Sequence, residues 1–273
     1  MLFNKFEDYL QHEKKFSSNT ISAYLRDLKS FQFFLNQNGD KISKETNYSF
    51  IRQWIVHLSE NKYAKVSINR KIASLKSYFN FLVNIGELNS SPLKAHKNLK
   101  SSSNIVIPFS ETEIEKVFES FKFIEGNDRD KLIVELFYST GISREELLNI
   151  KIINIDFDSH WIKILGKRDK ERIIPMLPKL SKSILNYISK YSPAQYLFES
   201  KKSKQLSSST IYRVINKYFR AVSSKVKVSP HVLRHTFATH MLNNGADINT
   251  IKEILGHSSL SSTQIYTKIK LPK

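Results

Sequence analysis

The chain has 273 residues, of which 43 are basic and 25 acidic, so its formal net charge is +18, and it contains no cysteine. This composition excludes disulfides, thiolate metal ligands and cysteine nucleophiles. No segment approaches the roughly 18 apolar residues that a membrane-spanning helix needs. The N-terminus carries Glu7 and Asp8 and does not resemble a signal peptide, so we expect a cytoplasmic protein that needs no membrane.

The basic residues are spread over the chain, with 16 basic and 8 acidic residues in 1–100 and the other 27 and 17 in 101–273. This distribution favours a long polyanion held by both parts of the chain over a lysine-rich background composition. A membrane-surface protein would need a basic amphipathic helix with exposed aromatic residues, and no segment supplies one.

The first 90 residues predict a small bundle of about four helices. Apolar residues recur at helical spacing through 3–37, with Ser18 and Asn19 as candidate N-caps of a second helix that ends at Gly39. Segments 47–60 and 66–86 repeat the pattern. Seven basic residues of this domain are candidate phosphate contacts, although each alone could equally be a solvated charge: Lys14, Lys15, Arg26, Lys65, Arg70, Lys71 and Lys76.

Residues 91–107 interrupt the periodicity with Pro92, lysines and a serine run, which predicts a linker before a second domain over 108–273. In the second domain, Ser110 and Glu113 form a capping-box pattern. The segment 152–175 alternates as strands do, and the remaining periodic segments predict helices near 130–139, 180–190, 208–223, 231–244 and 247–255. The second domain is therefore predicted to be mainly helical with a small sheet.

The segment HVLRHTFATH places His231 and Arg234 on one helical face, where they could hold an anion and move a proton, while Leu233 and Phe237 would face the core. With His235 and His240, His231 also suggests a metal site. The acidic partner of a zinc-protease helix is missing, so we expect no metal, and no nucleotide-binding fingerprint indicates a cofactor.

Two further segments carry candidate chemistry. In LGHSSLSSTQIYTK, His257 follows Gly256 on a turn and Tyr266 follows nine residues later, while Lys167 lies in GKRDKER, between two predicted strands. Taken singly, Tyr266 would be a packed aromatic residue and Lys167 a solvated hairpin residue.

Taken together, the order hairpin Lys, His-x-x-Arg, Gly-His and Tyr resembles the tyrosine recombinase family, specifically its Xer branch (XerC and XerD), with lambda integrase and Cre as more distant relatives. The segments STGISREELLNI, GKRDKERIIP and SPHVLRHTFATHMLNNGADINTIKEILGHSSLSSTQIYT resemble its catalytic domain. Residues 1–90 resemble its core-binding domain. The resemblance implies a mainly α (α+β) fold, with a four-helix SAM-like domain followed by a catalytic domain with a three-stranded antiparallel sheet.

The resemblance also implies a mechanism. Tyr266 would attack a scissile phosphate and form a 3′-phosphotyrosyl link, Lys167 would protonate the leaving 5′-oxygen, and Arg234 and His257 would donate hydrogen bonds to the transition state. His231 would handle a proton beside them, without ATP or metal. The implied partners are a double-stranded recombination site, a homo-tetramer or a hetero-tetramer with a related recombinase, and a septal DNA translocase.

One position departs from the family pattern, which has an arginine after Thr-Gly-hydrophobic. Here Thr140, Gly141 and Ile142 are followed by Ser143, and Arg144 comes one residue later, about 100° away on a helix. The serine could be a natural variation or an engineered substitution, or a different local register could let Arg144 act. An alternative function is therefore a DNA-binding protein of the same fold without strand exchange.

Only TKIKLPK follows Tyr266, so we expect either that subunit contacts use surfaces other than a long C-terminal helix or that the sequence is truncated here. The Xer-like N-terminal bundle argues against a type IB topoisomerase, which shares the tyrosine chemistry. The resemblance leaves chromosome dimer resolution, mobile-element integration and DNA inversion open as roles.

Overall fold

The computed structural model describes residues 2–37, 39–43, 46–100, 106–166, 170–200, 204–224 and 228–256. The chain divides into two compact units, residues 1–104 and 105–273. Within the described residues, no helix is both long enough and apolar enough to cross a membrane.

The first unit is built from four helical segments. Helix α1 (Leu2–Asp8) continues as a π-helical turn (Tyr9–Glu13), followed by α2 (Ser18–Gln37), α3 (Tyr48–Glu60) and α4 (Lys65–Asn84). The hydroxyl oxygen of Ser17, rather than Ser18 or Asn19, accepts a hydrogen bond from the backbone of the first turn of α2. Asn47 caps α3 through two backbone N–H groups. Local capping residues thus set where α2 and α3 begin.

The core of the first unit lies between the apolar faces of its helices. The rings of Phe31 on α2 and Trp54 on α3 lie 5.0 Å apart, an aromatic contact that adds about 1 kcal/mol to the burial of their surfaces. Five apolar residues of α2 at helical spacing face this core: Ile21, Leu28, Phe31 and Leu35 are buried, and Leu25 is partly buried against it.

Part of the predicted linker packs on the first unit. The side chain of Leu93 is completely buried in its core. The side-chain amide of Asn69, on α4, donates to the carbonyl of Leu99 and accepts from the Leu99 backbone N–H, each at 2.9 Å. Residues 91–100 therefore follow the surface of the bundle and are held to it by paired hydrogen bonds.

The second unit contains the remaining elements. They are α5 (Glu111–Ser120) with a 3₁₀ turn (Phe121–Phe123), α6 (Asp128–Thr140), α7 (Arg144–Leu148), a 3₁₀ turn (Ile152–Asn154), β1 (Ile155–Asp156), β2 (Trp161–Leu165), β3 (Glu171–Pro175), α8 (Pro178–Tyr191), α9 (Ser208–Val222), α10 (Pro230–Asn243) and α11 (Ile248–Leu255). The predicted capping box of Ser110 and Glu113 starts α5, as expected.

The three strands form one antiparallel sheet in the order β1-β2-β3. Ile162 pairs with Ile155 on one side and with Ile174 on the other, so these three isoleucines line the buried face. The opposite face carries Lys163 and Ile173, which pair with each other across the strands. The alternation of β2 and β3 therefore presents one face to the core and the other to solvent.

Helix α10 lies in the middle of the second unit and packs mainly on α6. Its buried polar side chains bond to the segment before α5. Thr236 accepts from the Phe109 backbone N–H at 2.9 Å, and His240 bridges the Phe109 carbonyl and the Tyr138 hydroxyl at 2.9 and 3.0 Å. Polar and apolar side chains of α10 are both buried, so this helix has no separate apolar face. The hydrogen bonds compensate the buried polar groups for their lost hydration. The predicted fold class, mainly helical with a three-stranded antiparallel sheet, is confirmed.

Candidate active site

Ser143, at the position where the resemblance implies an arginine, is the N-cap of α7. Its hydroxyl accepts from the Glu146 backbone N–H at 3.3 Å, and the Glu146 carboxylate accepts from the Ser143 backbone N–H at 2.7 Å. These two reciprocal bonds make a capping box. Arg144 is the first residue of α7 and its side chain is exposed. The structure therefore gives Ser143 a defined structural role that an arginine side chain could not fill.

The Glu146 carboxylate is shared by two arginines. It accepts from both terminal nitrogens of Arg172 at 2.6 and 3.1 Å, and from Arg234 Nη1 at 3.2 Å. The side chains of Glu146, Arg172 and Arg234 are only 11, 13 and 12% exposed. We call these three residues the Arg-Glu-Arg cluster. It joins α7, β3 and α10.

The surroundings of Glu146 favour its charged form. Burial by itself would raise the pKa of this carboxyl, but the hydrogen bonds from Arg172 and from the Ser143 backbone, together with both guanidinium charges, hold the pKa below its usual value. Glu146 is therefore ionised at neutral pH, and the cluster carries two positive charges and one negative charge.

Both arginines of the cluster also bind the end of α11. Arg172 Nε donates to the Ile254 carbonyl at 2.7 Å, and Arg234 Nη2 donates to the Leu255 carbonyl at 2.5 Å. The helix then ends at Gly256, whose φ of +67° is left-handed. A β-carbon built on Gly256 would lie 3.0 Å from Arg172 Nη1, so the backbone lies directly against this guanidinium. These carbonyls have no intrahelical partner, which makes cations their natural ligands.

The other side of the cluster faces the end of β2. The Gly166 backbone N–H donates to the Lys170 carbonyl at 2.8 Å and closes the β2–β3 hairpin. A β-carbon on Gly166 would lie 3.4 Å from Arg172 Nη1 and 3.7 Å from Glu146 Oε1. The ion pair between Arg172 and Glu146 therefore contacts both Gly166 and Gly256.

Three predicted site residues, Lys167, His257 and Tyr266, lie outside the described residues. In sequence, Lys167 directly follows Gly166 and His257 directly follows Gly256. The structure thus brings the residues before Lys167 and His257 to the same cluster that contains Arg234.

Helix α10 carries the other two predicted residues as expected. His231 is exposed in the first turn, and Arg234, one turn later, reaches the cluster. Leu233 and Phe237 are buried, as the helical spacing predicted. His235 is buried behind them, where desolvation and the neighbouring His231 lower its pKa to about 4, so it is neutral at physiological pH. Both ring nitrogens of His240 are already engaged with Tyr138 and Phe109.

Six of the seven predicted phosphate contacts of the first unit are exposed, and one is not. Lys71 is buried, with its ammonium 3.3 Å from Asp27 and above the rings of Trp54 and Tyr63 at 5.7 and 5.6 Å. Arg70 also binds Asp27 through both terminal nitrogens but keeps half of its side chain exposed. The side chains of the other six residues are exposed and therefore accessible to the phosphates of DNA: Lys14, Lys15, Arg26, Lys65, Arg70 and Lys76.

Sequence reasoning missed two residues of the cluster, Glu146 and Arg172. Glu146 had a local signal, because Ser143 and Glu146 repeat the spacing of Ser110 and Glu113. Arg172 had none, since it lies in a charged run beside the exposed Lys170 and Glu171. The proximity of Arg172 to Glu146 arises only in the folded unit.

Comparison with known proteins gives a consistent assignment. The sequence profile of the phage integrase family matches residues 109–271, and that of the phage integrase N-terminal SAM-like domain matches residues 3–86. A tyrosine recombinase of Pseudothermotoga lettingae is 36% identical, over 98% of this chain and 93% of that protein. The tyrosine recombinase XerC of Pediococcus pentosaceus is 35% identical, over 100% and 94% of the two chains.

The fold is also similar to a solved structure, the XerH site-specific recombinase bound to a palindromic difH substrate in a post-cleavage complex. The TM-score is 0.79 and the identity 20%, over 97% of this chain and 81% of that one. With two family profiles that together cover most of the chain, and full-length relatives above 30% identity, this chain belongs to the phage integrase family and is a tyrosine recombinase.

Proposed function

We propose that this chain cuts and rejoins DNA through a 3′-phosphotyrosyl intermediate formed by Tyr266. The observation that carries the proposal is the Arg-Glu-Arg cluster. It holds Arg234 and lies against Gly166 and Gly256, the residues that precede Lys167 and His257 in sequence. Segments far apart in sequence thus converge on one buried, positively charged place, as stabilisation of a phosphoryl transition state requires.

The reaction balances without an energy cofactor. The phenolic oxygen of Tyr266 forms a bond to phosphorus while the bond from phosphorus to the 5′-oxygen breaks, and Lys167 donates the proton that the 5′-oxygen needs. Arg234 and His257 donate hydrogen bonds to the non-bridging oxygens, and His231 accepts the proton that the Tyr266 phenol loses. The reverse attack by a 5′-hydroxyl restores the phosphodiester.

We propose that the exposed basic residues of the first unit contact the DNA backbone. Lys14, Lys15, Arg26, Lys65, Arg70 and Lys76 have exposed side chains for this role, whereas the buried Lys71 supports the bundle through Asp27. Contacts to phosphate position a protein on a duplex but carry no sequence information. We therefore assign these residues to affinity rather than to choice of site.

We further propose the partners and role that the relatives suggest. The XerH site-specific recombinase is named as bound to a palindromic difH substrate, and curated relatives are named tyrosine recombinase XerC. We infer that this chain acts on a double-stranded site as a homo-tetramer or with a related recombinase, with a septal DNA translocase as a further partner. Chromosome dimer resolution and mobile-element integration are the two roles we propose.

The second candidate function is DNA binding without strand exchange. It is favoured by Ser143, because a serine that caps α7 supplies no guanidinium to the phosphate. Loss of one transition-state hydrogen-bond donor lowers the rate by about 10²–10³. Binding through the remaining cations would persist.

The test compares this chain with its Ser143→Arg variant on a nicked site that traps the covalent complex. We expect both to bind DNA equally and the variant to form phosphotyrosyl product about 10²-fold faster. Tyr266→Phe is the control that should form none. Equal rates for the two chains would show that Ser143 does not limit the reaction, and covalent product from Tyr266→Phe would disprove the proposed chemistry.

A further inference from the structure

Arg172 uses every nitrogen of its guanidinium within the second unit. Nε binds the Ile254 carbonyl, and Nη1 and Nη2 bind the Glu146 carboxylate. The residue therefore ties β3 both to α7 and to the last turn of α11, which lies 82 residues away in sequence. Nothing in the proposed chemistry requires this residue to touch DNA.

We propose that Arg172 is a positioning residue that holds the end of α11, from Ile254 to Gly256, against the Arg-Glu-Arg cluster and acts on the reaction through His257, the next residue in sequence. The chain leaves α11 through Gly256, whose backbone lies against the Arg172 guanidinium, and the next residue is His257. Arg234 binds the adjacent Leu255 carbonyl and shares Glu146 with Arg172. The carboxylate thus links Arg234, which donates to the phosphate in the proposed reaction, to Arg172, which holds the end of α11. This inference rests on the proposed function.

The chemistry of the cluster explains why an arginine stands at 172. A guanidinium presents several donors in one plane and can bind a carboxylate with two of them while a third reaches the helix end, whereas an ammonium is a single point of charge. Arg172 also changes the charge around Arg234. With Arg172 present, two cations share one carboxylate, so Glu146 does not neutralise Arg234 alone.

The experiment is a double-mutant cycle on the full chain. The rate of covalent complex formation on a nicked site is measured at saturating protein for the parent, Arg172→Gln, His257→Gln and the double variant. We expect Arg172→Gln to slow the rate about 10- to 100-fold, as a displacement of about 1 Å does, while DNA affinity stays within about twofold. In the His257→Gln background, the same change should cost less than about threefold, because its effect is already lost.

Two matched variants separate geometry from charge and from folding. Arg172→Lys keeps the charge but not the planar set of donors, and it should remain slow. Glu171→Gln removes the neighbouring exposed ion pair with Lys163 and should leave the rate unchanged. Full activity of Arg172→Lys, or an equal cost of Arg172→Gln in both backgrounds, would overturn the assignment.

A second measurement applies even if the variants cleave too slowly to time. In the free protein, the NMR signals of the Gly256 amide and the His257 ring should shift in Arg172→Lys and stay in place in Glu171→Gln. Unchanged signals in a folded Arg172→Lys would refute the positioning role. Covalent product from Tyr266→Phe would instead refute the proposed function, so the two failures are distinguishable.

Discussion

Two buried carboxylates of the second unit, Glu146 and Glu135, have opposite surroundings. Glu146 binds two guanidiniums, which hold its pKa below the usual value. Glu135 is 8% exposed and accepts one hydrogen bond, from Ser183, while its second oxygen has no partner among the described residues. Burial therefore raises the pKa of Glu135, and the Ser183 bond and nearby lysines offset this only in part. A glutamate side chain thus stabilises the fold at position 146, where its charge is paired, and destabilises it at position 135, where its charge is not fully compensated.

The pKa of Glu135 predicts a pH-dependent stability. The pKa of Glu135 is higher in the folded protein than its ordinary value of 4.5. Protonated Glu135 therefore makes its full contribution to the stability of the fold below pH 4.5. This contribution is lost as the pH rises through the folded-state pKa. We expect the stability of Glu135→Gln, relative to the parent, to increase between pH 4.5 and neutral pH. Urea unfolding followed by Trp161 fluorescence, in a Trp54→Phe background, measures this in the second unit.

The control for this prediction is Glu119→Gln, which changes an exposed glutamate of α5. Its stability relative to the parent should not vary with pH. A constant difference between Glu135→Gln and the parent across the same pH range would contradict the prediction.

At the scale of elements, the contact between α2 and α4 depends on one buried acid. Asp27 is 1% exposed and accepts hydrogen bonds from three residues of α4, Arg70, Lys71 and Ser74. A buried charge is tolerated only where such partners compensate for its lost hydration. Asp27 therefore fixes how the two longest helices of the first unit sit against each other.

We expect Asp27→Asn to destabilise the first unit by about 3 kcal/mol, because it leaves the buried ammonium of Lys71 without a counter-charge. Urea unfolding followed by Trp54 fluorescence, in a Trp161→Phe background, measures the loss. Asp27→Asn with Lys71→Met should recover part of it, and the exposed Asp8→Asn should change little. A loss below about 1 kcal/mol would show that the network is not needed for stability.

At the scale of the whole molecule, both parts of the chain are basic, and this predicts salt-dependent DNA binding. Affinity falls as salt rises, and each phosphate contact makes the slope of log affinity against log salt more negative by about 0.9. Removal of the exposed Lys76 should weaken binding to every sequence and make this slope less steep by about 1.

The measurement is DNA affinity at several salt concentrations for Lys76→Gln. Lys5→Gln, which changes an exposed lysine outside the proposed set, is the control and should leave the slope unchanged. An unchanged slope for Lys76→Gln would exclude Lys76 from the DNA interface.

Structural features that depend on neighbouring residues could be predicted from the sequence, whereas features that depend on contacts between distant residues could not. The helices of both units, the Ser110 capping box and the hairpin around Lys167 follow from residues within a few positions of one another, and the structure confirms the helices and the capping box. Burial of Lys71 could not be predicted in this way. Its neighbours Arg70 and Lys76 are also basic but exposed, and only packing against α2 and α3 distinguishes Lys71 from them.

The sequence by itself determined the family, the fold class and the order of the candidate catalytic residues, because periodicity and motif spacing are properties of neighbouring positions. Only the tertiary structure decided the partners of Arg234 and of Arg172. Glu146 lies 26 residues from Arg172 and 88 from Arg234. The sequence does not predict ion pairs between such distant residues. These pairs form when α7, β3, α10 and α11 fold together and exclude water from between the charges. Ion pairs and hydrogen bonds then replace the lost hydration.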